Sequence, residues 1–552
     1  MLRLTELRLP LNHPEDALEQ AVLRRLGIGA SDLLAVTVAR RGYDARKPAA
    51  ISLVYTLDVE LRDEAAVLRR CAGAPRVAPA PDTRYRLVAR SPEPGPPRPV
   101  VVGAGPCGLM AALVLAQMGF RPLMLERGQP VRQRTKDTWG LWRRGVLEPE
   151  SNVQFGEGGA GTFSDGKLYS QIRDPRHLGR KVLEEFVRAG APQEILWVSK
   201  PHIGTFRLVT VVEGMRAEIE RLGGEYRFGA RVVDLEVDED RQLRGLVLEG
   251  GETVEATHAV LAPGHSARDL LTVLLRRGVA MEAKPFSIGV RIEHPQRVVD
   301  RARFGPNAGN KLLGAADYRL AHHCANGRAV YSFCMCPGGR VVAATSEPGH
   351  VVTNGMSQYS RAEFNANAGL VVGISPADYP GGVLAGVEFQ RRWERAAFEA
   401  GGADYRAPAQ RVEDFLAARP STFLGDVVPS YQPGTRPADL SACLPDFAVA
   451  AMREALPAFA RQVPGFAMAD AVMTGVETRT SSPVRLPRNG AFQSVNTAGL
   501  FPAGEGAGYA GGILSAGVDG IRVAEAVAMS LTGQEVPAEW SRRRSEAALV
   551  YG

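Results

Sequence analysis

The chain is short of everything that would take it out of the ordinary soluble class. Six cysteines in 552 residues, none of them in a CxxC pair, give neither a disulfide framework nor the spacing of a structural zinc site. A reducing, cytoplasmic setting is expected, and no metal. No apolar run approaches the roughly 20 residues that cross a membrane, which excludes integral insertion. Met1 to Pro10 alternates charge with leucine, so no secretory signal is expected either. Basic residues exceed acidic ones by only 66 to 60 and form no block, so nucleic acid is not an expected partner and a small molecule is. What remains is a chain with 45% hydrophobic residues, too long for one core, for which two or three domains are expected.

The expected fold class is α/β with α+β parts. Residues 1–90 read as a small α+β domain, with strands over Arg3–Leu9, Leu33–Arg41 and Ile51–Leu61 and a helix over Ala17–Leu26. A proline-rich linker follows at 91–99. Val100-Val101-Val102, the small-residue helix Pro106–Met118 and the strand Pro122–Leu125 ending at Glu126 make a βαβ unit. Further on come a helix over Leu208–Leu222, a three-stranded meander within 231–256 and a returning strand at Ala259–Ala262. A Rossmann-like dinucleotide-binding domain over 100–274 follows from this order, completed by 426–535 with a strand at Gly499–Ala503 and a helix from Ile513. Between them, 275–425 reads as an inserted mixed α/β substrate domain, and 536–552 as a tail.

Glycine is so abundant, 60 residues, that about 0.7 chance matches to GxGxxG are expected from composition, and three occur. Only Gly103/Gly105/Gly108 follows an apolar strand, opens a helix and meets an acidic residue, Glu126, about 20 positions on. Gly103 permits the turn, Gly105 the approach of a pyrophosphate, and Gly108 the packing of helix on strand. Glu126 accepts from ribose hydroxyls. The distal run Gly504-Glu505-Gly506-Ala507-Gly508-Tyr509-Ala510-Gly511-Gly512-Ile513 follows a strand and leads into a second helix, an order that favours FAD over NAD. The middle run, Gln154 to Leu168 with Gly156, Gly158 and Gly161, has no preceding strand; a flavin-contacting loop and a plain surface loop both fit it.

Taken together, "VVGAGPCGLMAALVLAQMG", "NVQFGEGGAGTFSDGKL", "APGHSARD", "KPFSIGVRIEHPQ", "YSFCMCPGGRVV", "GVETRTSSPVR" and "LFPAGEGAGYAGGILSAGVDG" resemble the bacterial family of uncharacterised FAD-dependent dehydrogenases. These are relatives of the glutathione-reductase-type flavoproteins that carry an N-terminal α+β extension. The resemblance implies FAD held by Gly103, Gly105, Pro106, Cys107, Gly108, Glu126 and Arg127, and by the loop Gly158, Gly159, Ala160, Gly161, Thr162. It adds Val233, then Ala262, Pro263 and Gly264, and finally Gly504, Glu505, Gly511, Gly512 and Ile513. It supplies no substrate. A second strand-GxGxxG-helix unit is absent, so NAD(P)H enters only as a transient electron donor at the flavin face, with another donor equally compatible.

For catalysis, Arg479 in the polar run Glu477–Pro483 is a candidate to orient an anionic substrate, against the reading of a self-capped loop. Lys167, Arg291 and His265 are candidates for charge near the flavin, against the reading of solvated surface groups. Cys334 and Cys336, two apart in a strand, are expected on one face, as a redox pair or as small apolar fillers. The expected function is an FAD-dependent dehydrogenase or reductase acting on a small organic substrate. A flavin monooxygenase and a non-catalytic flavin-binding assembly factor stand beside it.

Overall fold

A computed structural model describes residues 1–541. Of the expected tail, 536–552, residues 542–552 lie outside the described residues, and Ala538–Ser541 is a single helical turn.

The N-terminal domain is a four-stranded sheet in the order Leu33–Asp44, Ser52–Leu61, Leu2–Pro10, Val77–Pro79, with the antiparallel Leu2–Pro10 strand shared between two partners. Leu2 and Leu4 point into its core, and so do Leu7 and Leu9, a phase change that strict alternation forbids. A bulge between Leu4 and Leu7, with Glu6 at φ 52°, supplies the extra residue and returns both pairs to the same face. The sheet ends at Pro79. Tyr85, Val88 and Ala89 pack instead into the helical core of the next domain, so the expected boundary at 90 falls about a turn of chain too late. Periodicity alone does not show which core a non-repeating segment joins.

That next domain is built on a five-stranded parallel sheet, ordered Leu500–Pro502, Ala259–Leu261, Val100–Val102, Leu123–Glu126, Glu225–Phe228. Four of its strands are buried on both faces, as a covered parallel sheet requires, and the edge strand Glu225–Phe228 is half-buried. Val101, Met124, Val260 and Phe501 face the Pro106–Gln117, Thr205–Arg221 and Ile513–Leu531 helices. Val100, Val102, Leu123, Leu125 and Leu261 face the meander Val232–Val237, Leu243–Leu248, Thr253–Glu255. The chain leaves after the Arg268–Arg276 helix and returns to this sheet only at Leu500.

The intervening residues form a seven-stranded sheet: Ala321–His323, Ala329–Cys336, Asn365–Ile374, Phe286–Pro295, Val472–Glu477, Ala407–Arg411, Thr435–Pro437. This corrects the boundary expected at 425, because two of its strands and its covering helix, Asp446–Gln462, lie beyond that point. Pairing such as Ile292 with Met473 joins segments far apart in the chain and leaves no local trace in the sequence. The N-terminal domain touches both others. Arg41 exchanges backbone hydrogen bonds with Trp197 and Ser199, at 2.6 and 2.8 Å, while Asn307 donates to Pro48 O at 2.7 Å and Tyr43 meets Phe304 edge-on. No helix among the described residues is long and apolar enough to cross a membrane.

Candidate cofactor and substrate site

The glycine runs, distant in sequence, meet at one place. Gly103, at φ 97°, turns the chain out of its strand with its Cα against Ala262 O, and a Cβ on Gly108 would collide with Gly103 O. Gly108 therefore serves helix-on-strand packing and does not line the site. Gly159 lies on the first turn, where an added Cβ would be 2.8 Å from Gly105 Cα, and one on Gly161 would be 2.9 Å from Ile513 Cγ1. From the last run, Gly504 abuts Cys107 and Gly506 abuts Gly264 O. Four loops thus close on each other through bare backbone, which explains why composition is so rich in glycine at these positions.

Glu126, 4% exposed, stands at the end of its strand and accepts three backbone N–H groups: Ala104 at 2.8 Å, Gly128 at 2.9 Å and Gly156 at 2.9 Å. Those bonds orient its carboxylate and tie the first and middle glycine loops together. Arg127 binds Glu150 and Asp269 and lies 3.9 Å over the Phe155 ring. Beyond these loops opens a continuous cavity of about 2690 Å³, larger than the range of roughly 300–1,000 Å³ for single small-molecule pockets.

The expected residues Gly103, Gly105, Pro106, Cys107, Glu126, Arg127, Gly159, Ala160 and Gly161 line it, as do Ala262, Pro263, Gly264, Gly504, Glu505, Gly511, Gly512 and Ile513. Gly158 and Thr162 do not; they pack on each other behind the loop, against Val212. Val233 does not line it either. A register shift between Val232 and Asp234 puts Val232 at the wall.

The wall matches a flavin dinucleotide on several independent counts. Neither the Pro106–Gln117 nor the Ile513–Leu531 helix has a side-chain N-cap, so the first N–H groups of both are open to an anion or a carbonyl oxygen. A Cβ at Gly264 or Gly511 would meet nothing within 4 Å, leaving that backbone bare to a ligand. His265 Nδ1 is buried without a hydrogen-bond partner, 3.5 Å from Glu505 Oε1.

Three descriptions of protein families match the chain: "FAD binding domain" over residues 99–269, "FAD-dependent protein, C-terminal domain-like" over 285–480, and "Domain of unknown function (DUF8436)" over 1–60. An uncharacterised protein of Clostridium beijerinckii is 45% identical over 526 residues, which is 95% of this chain and 98% of its own. The chain belongs to this family of FAD-dependent proteins. Since flavin is a redox carrier, the flavoprotein is an FAD-dependent oxidoreductase by class. Looser likenesses connect it with 3-ketosteroid-Δ4-(5α)-dehydrogenase of Rhodococcus jostii RHA1, at 13% identity over 80% of this chain and 99% of that one, TM-score 0.33. Glycine oxidase of Geobacillus kaustophilus aligns at 13% identity over 79% and 95%, TM-score 0.34. At these values neither carries a substrate or a reaction across.

The domain of the seven-stranded sheet forms the other wall of the flavoprotein's cavity, with Lys167 between the two. Lys167 Nζ donates to Met335 O. Burial works against its charge, Asp165 overcomes that, and the ammonium is held above its ordinary value. Arg291 is not at the wall. Fully buried, it clasps Glu477 through two bonds and donates to Cys334 O at 2.9 Å, Asn354 at 3.0 Å and Asn367 at 3.2 Å. Arg479 reaches the cavity, yet its donors are spent on Glu394, Ser266 and Ser346, which corrects its expected role as an anion-holding group.

The expectation for Cys334 and Cys336 also fails. A bulge between Phe333 and Cys336 breaks the alternation, placing Cys334 at φ 40° and exposed while Cys336 is buried. Cys334 opens onto the cavity rather than bulk solvent, so desolvation by the surrounding protein raises its thiol as burial raises that of Cys336, the latter to about 11, and neither is a thiolate at neutral pH. Sequence reasoning missed the buried Arg488–Asp519 pair, whose Asp519 Oδ2 also accepts Gly504 N–H at 2.8 Å. One signal was available: Asp519 is an acid in the middle of an otherwise apolar stretch of helix.

Proposed function

We propose that the flavoprotein passes a hydride or an electron pair between FAD and a small organic substrate lodged against the seven-stranded sheet. The observation that carries this is the single cavity, shared by the glycine loops on one side and by Lys167, Tyr331, Phe333 and Cys334 on the other. Glu126 and the first helix terminus would hold the ribose and pyrophosphate, and Gly504 to Ile513 the flavin end, where the cofactor supplies two-electron redox chemistry. Lys167 keeps a positive charge at the cavity wall. His265 beside Glu505 is placed to take or return a proton, and Tyr331, hydrogen-bonded to Ser287 Oγ, presents a phenol from the substrate side. NAD(P)H fits as a transient donor at the same face.

An anaerobic absorbance scan of the purified protein, followed by NADH and NADPH titration, tests this reading. An oxidised-flavin band that bleaches with either nucleotide identifies a reductase half-reaction and directs the search to acceptors. A band that bleaches only with an organic substrate identifies a dehydrogenase. Protein that holds no flavin after reconstitution ends the proposal.

A further inference from the structure

Away from the flavin cavity, the Ala321–His323 strand forms one edge of the seven-stranded sheet and turns into Ala329–Cys336. His322 on that strand, Cys324 in the turn and Glu454 on the Asp446–Gln462 helix bring an imidazole nitrogen, a thiol and a carboxylate oxygen within 4.8 Å of one another. No other trio of His, Cys, Asp or Glu is so placed among the described residues. His322 Nε2 lies 3.1 Å from Glu454 Oε1. Cys324, 6% exposed, points its thiol at Ala451 O, 3.4 Å away and one turn earlier on the same helix. The side chains of His322 and Glu454 are 26% and 41% exposed, so solvent reaches the cluster from one side.

An exposed His–Glu pair is worth little by itself and needs no sulfur beside it. A cation explains all three donors. We infer that His322, Cys324 and Glu454 bind one Zn²⁺ ion, with water as the fourth ligand of a tetrahedron. Mixed nitrogen, sulfur and oxygen donors suit Zn²⁺ and disfavour Mg²⁺ or Ca²⁺, which require oxygen. Closing the donors onto bonds of about 2.0–2.3 Å draws them inward by about 1 Å, a movement open to the exposed Glu454 side chain. The Ala325 N–H, which donates to both Glu454 oxygens at 3.0 and 3.1 Å, keeps that carboxylate turned toward the hairpin. On binding, a Zn–S bond forms and the thiol proton passes to solvent; no electrons are transferred. Spacing in the sequence conceals the site, because its third ligand comes from a helix far along the chain. The ion would pin the hairpin to the helix, and the hairpin's second strand continues to the cavity wall at Phe333 and Cys334.

The test is Zn²⁺ titration of the chelator-treated holoprotein by calorimetry in two buffers of different ionisation enthalpy, with metal per chain counted by mass spectrometry. About one Zn²⁺ per chain is expected, with about one proton released at neutral pH, a readout on the unaltered chain that needs no variant. Cys324→Ser and His322→Ala should each weaken binding by at least about 100-fold, the upper cost of losing even an outer-sphere partner. Glu454→Gln should weaken it at least about tenfold while still capping the turn. The flavin spectrum should stay unchanged in all three. No retained Zn²⁺, binding without proton release, or variants that hold the ion as tightly as the parent would each overturn the inference.

Discussion

Glu126 has a structural job besides the ribose contact proposed for it. Its three backbone bonds mean that Glu126→Ala leaves buried donors unpaired, each at a cost of about 1–3 kcal/mol, even before any cofactor is considered. The apoprotein of this variant should therefore melt below the parent apoprotein in scanning calorimetry, in addition to losing flavin. Equal apoprotein melting would assign Glu126 to the cofactor alone. Lys167 presents the contrasting case, a charge at the cavity wall that donates to a carbonyl and is favoured by the nearby Asp165 carboxylate. Lys167→Met should keep FAD but lower its midpoint potential by about 30 mV, the equivalent of about 1.4 kcal/mol withdrawn from the reduced form. Spectroelectrochemistry against a reference dye reads the shift; an unchanged potential would place the ammonium too far from the flavin to matter.

At the scale of elements, the junction of the two large domains is held by buried charge. Arg268, opening its helix, and Arg479, just past the Val472–Glu477 strand, both bind Glu394 in the middle of the Ala385–Gly401 helix. Burial opposes the charge on Glu394, and the two guanidinium groups overcome it and hold its carboxyl well below the ordinary range. Glu394→Gln takes the carboxylate from buried Arg479 and leaves Arg268 with Glu347 as its acidic partner, so it should cost about 3–5 kcal/mol in denaturant unfolding, more than Arg479→Ala, which leaves the Arg268–Glu394 pair intact. The sign of the pH dependence follows from the depressed value. Folded protein binds fewer protons at Glu394 than the unfolded chain, so this stability is full above about pH 4.3 and is lost as pH falls toward the folded value. A Glu394→Gln protein should show a flatter acid limb than the parent when both are unfolded across that range.

The same junction shows where sequence reasoning ends. Four of the five parallel strands, the meander and the helix starts at Pro106 and Ile513 were legible because apolar period and glycine position are local; the half-buried edge strand Glu225–Phe228 was not. The partner of Phe286–Pro295 was not, since Val472–Glu477 joins it through pairing that no short window contains. The shared face for Cys334 and Cys336 went wrong because counting by twos fails through a strand that contains a bulge, and Val233, carried over from the resemblance, sits beside a similar register shift. Arg479 was found by its setting, but its partner Glu394 sits on a helix that gives no sign of facing it.

Across the whole molecule, the N-terminal domain lies on the seam between the other two, through Arg41 with Trp197 and Pro48 with Asn307. A chain lacking residues 1–79 should retain flavin, because no cavity residue comes from that stretch, yet melt several degrees lower and be cut sooner by protease near Trp197. Unchanged melting would make the domain a passenger. The larger consequence comes from the order of the parallel sheet, whose edge strand, Leu500–Pro502, and last glycine loop are synthesised only after the whole seven-stranded sheet. While the ribosome is still making the seven-stranded sheet, the nascent chain has the first half of the parallel-sheet domain with one flank of its sheet unpaired and the last of the four glycine loops missing. Until that last segment is made, the waiting half-sheet depends on chaperones or on speed to avoid pairing with something else.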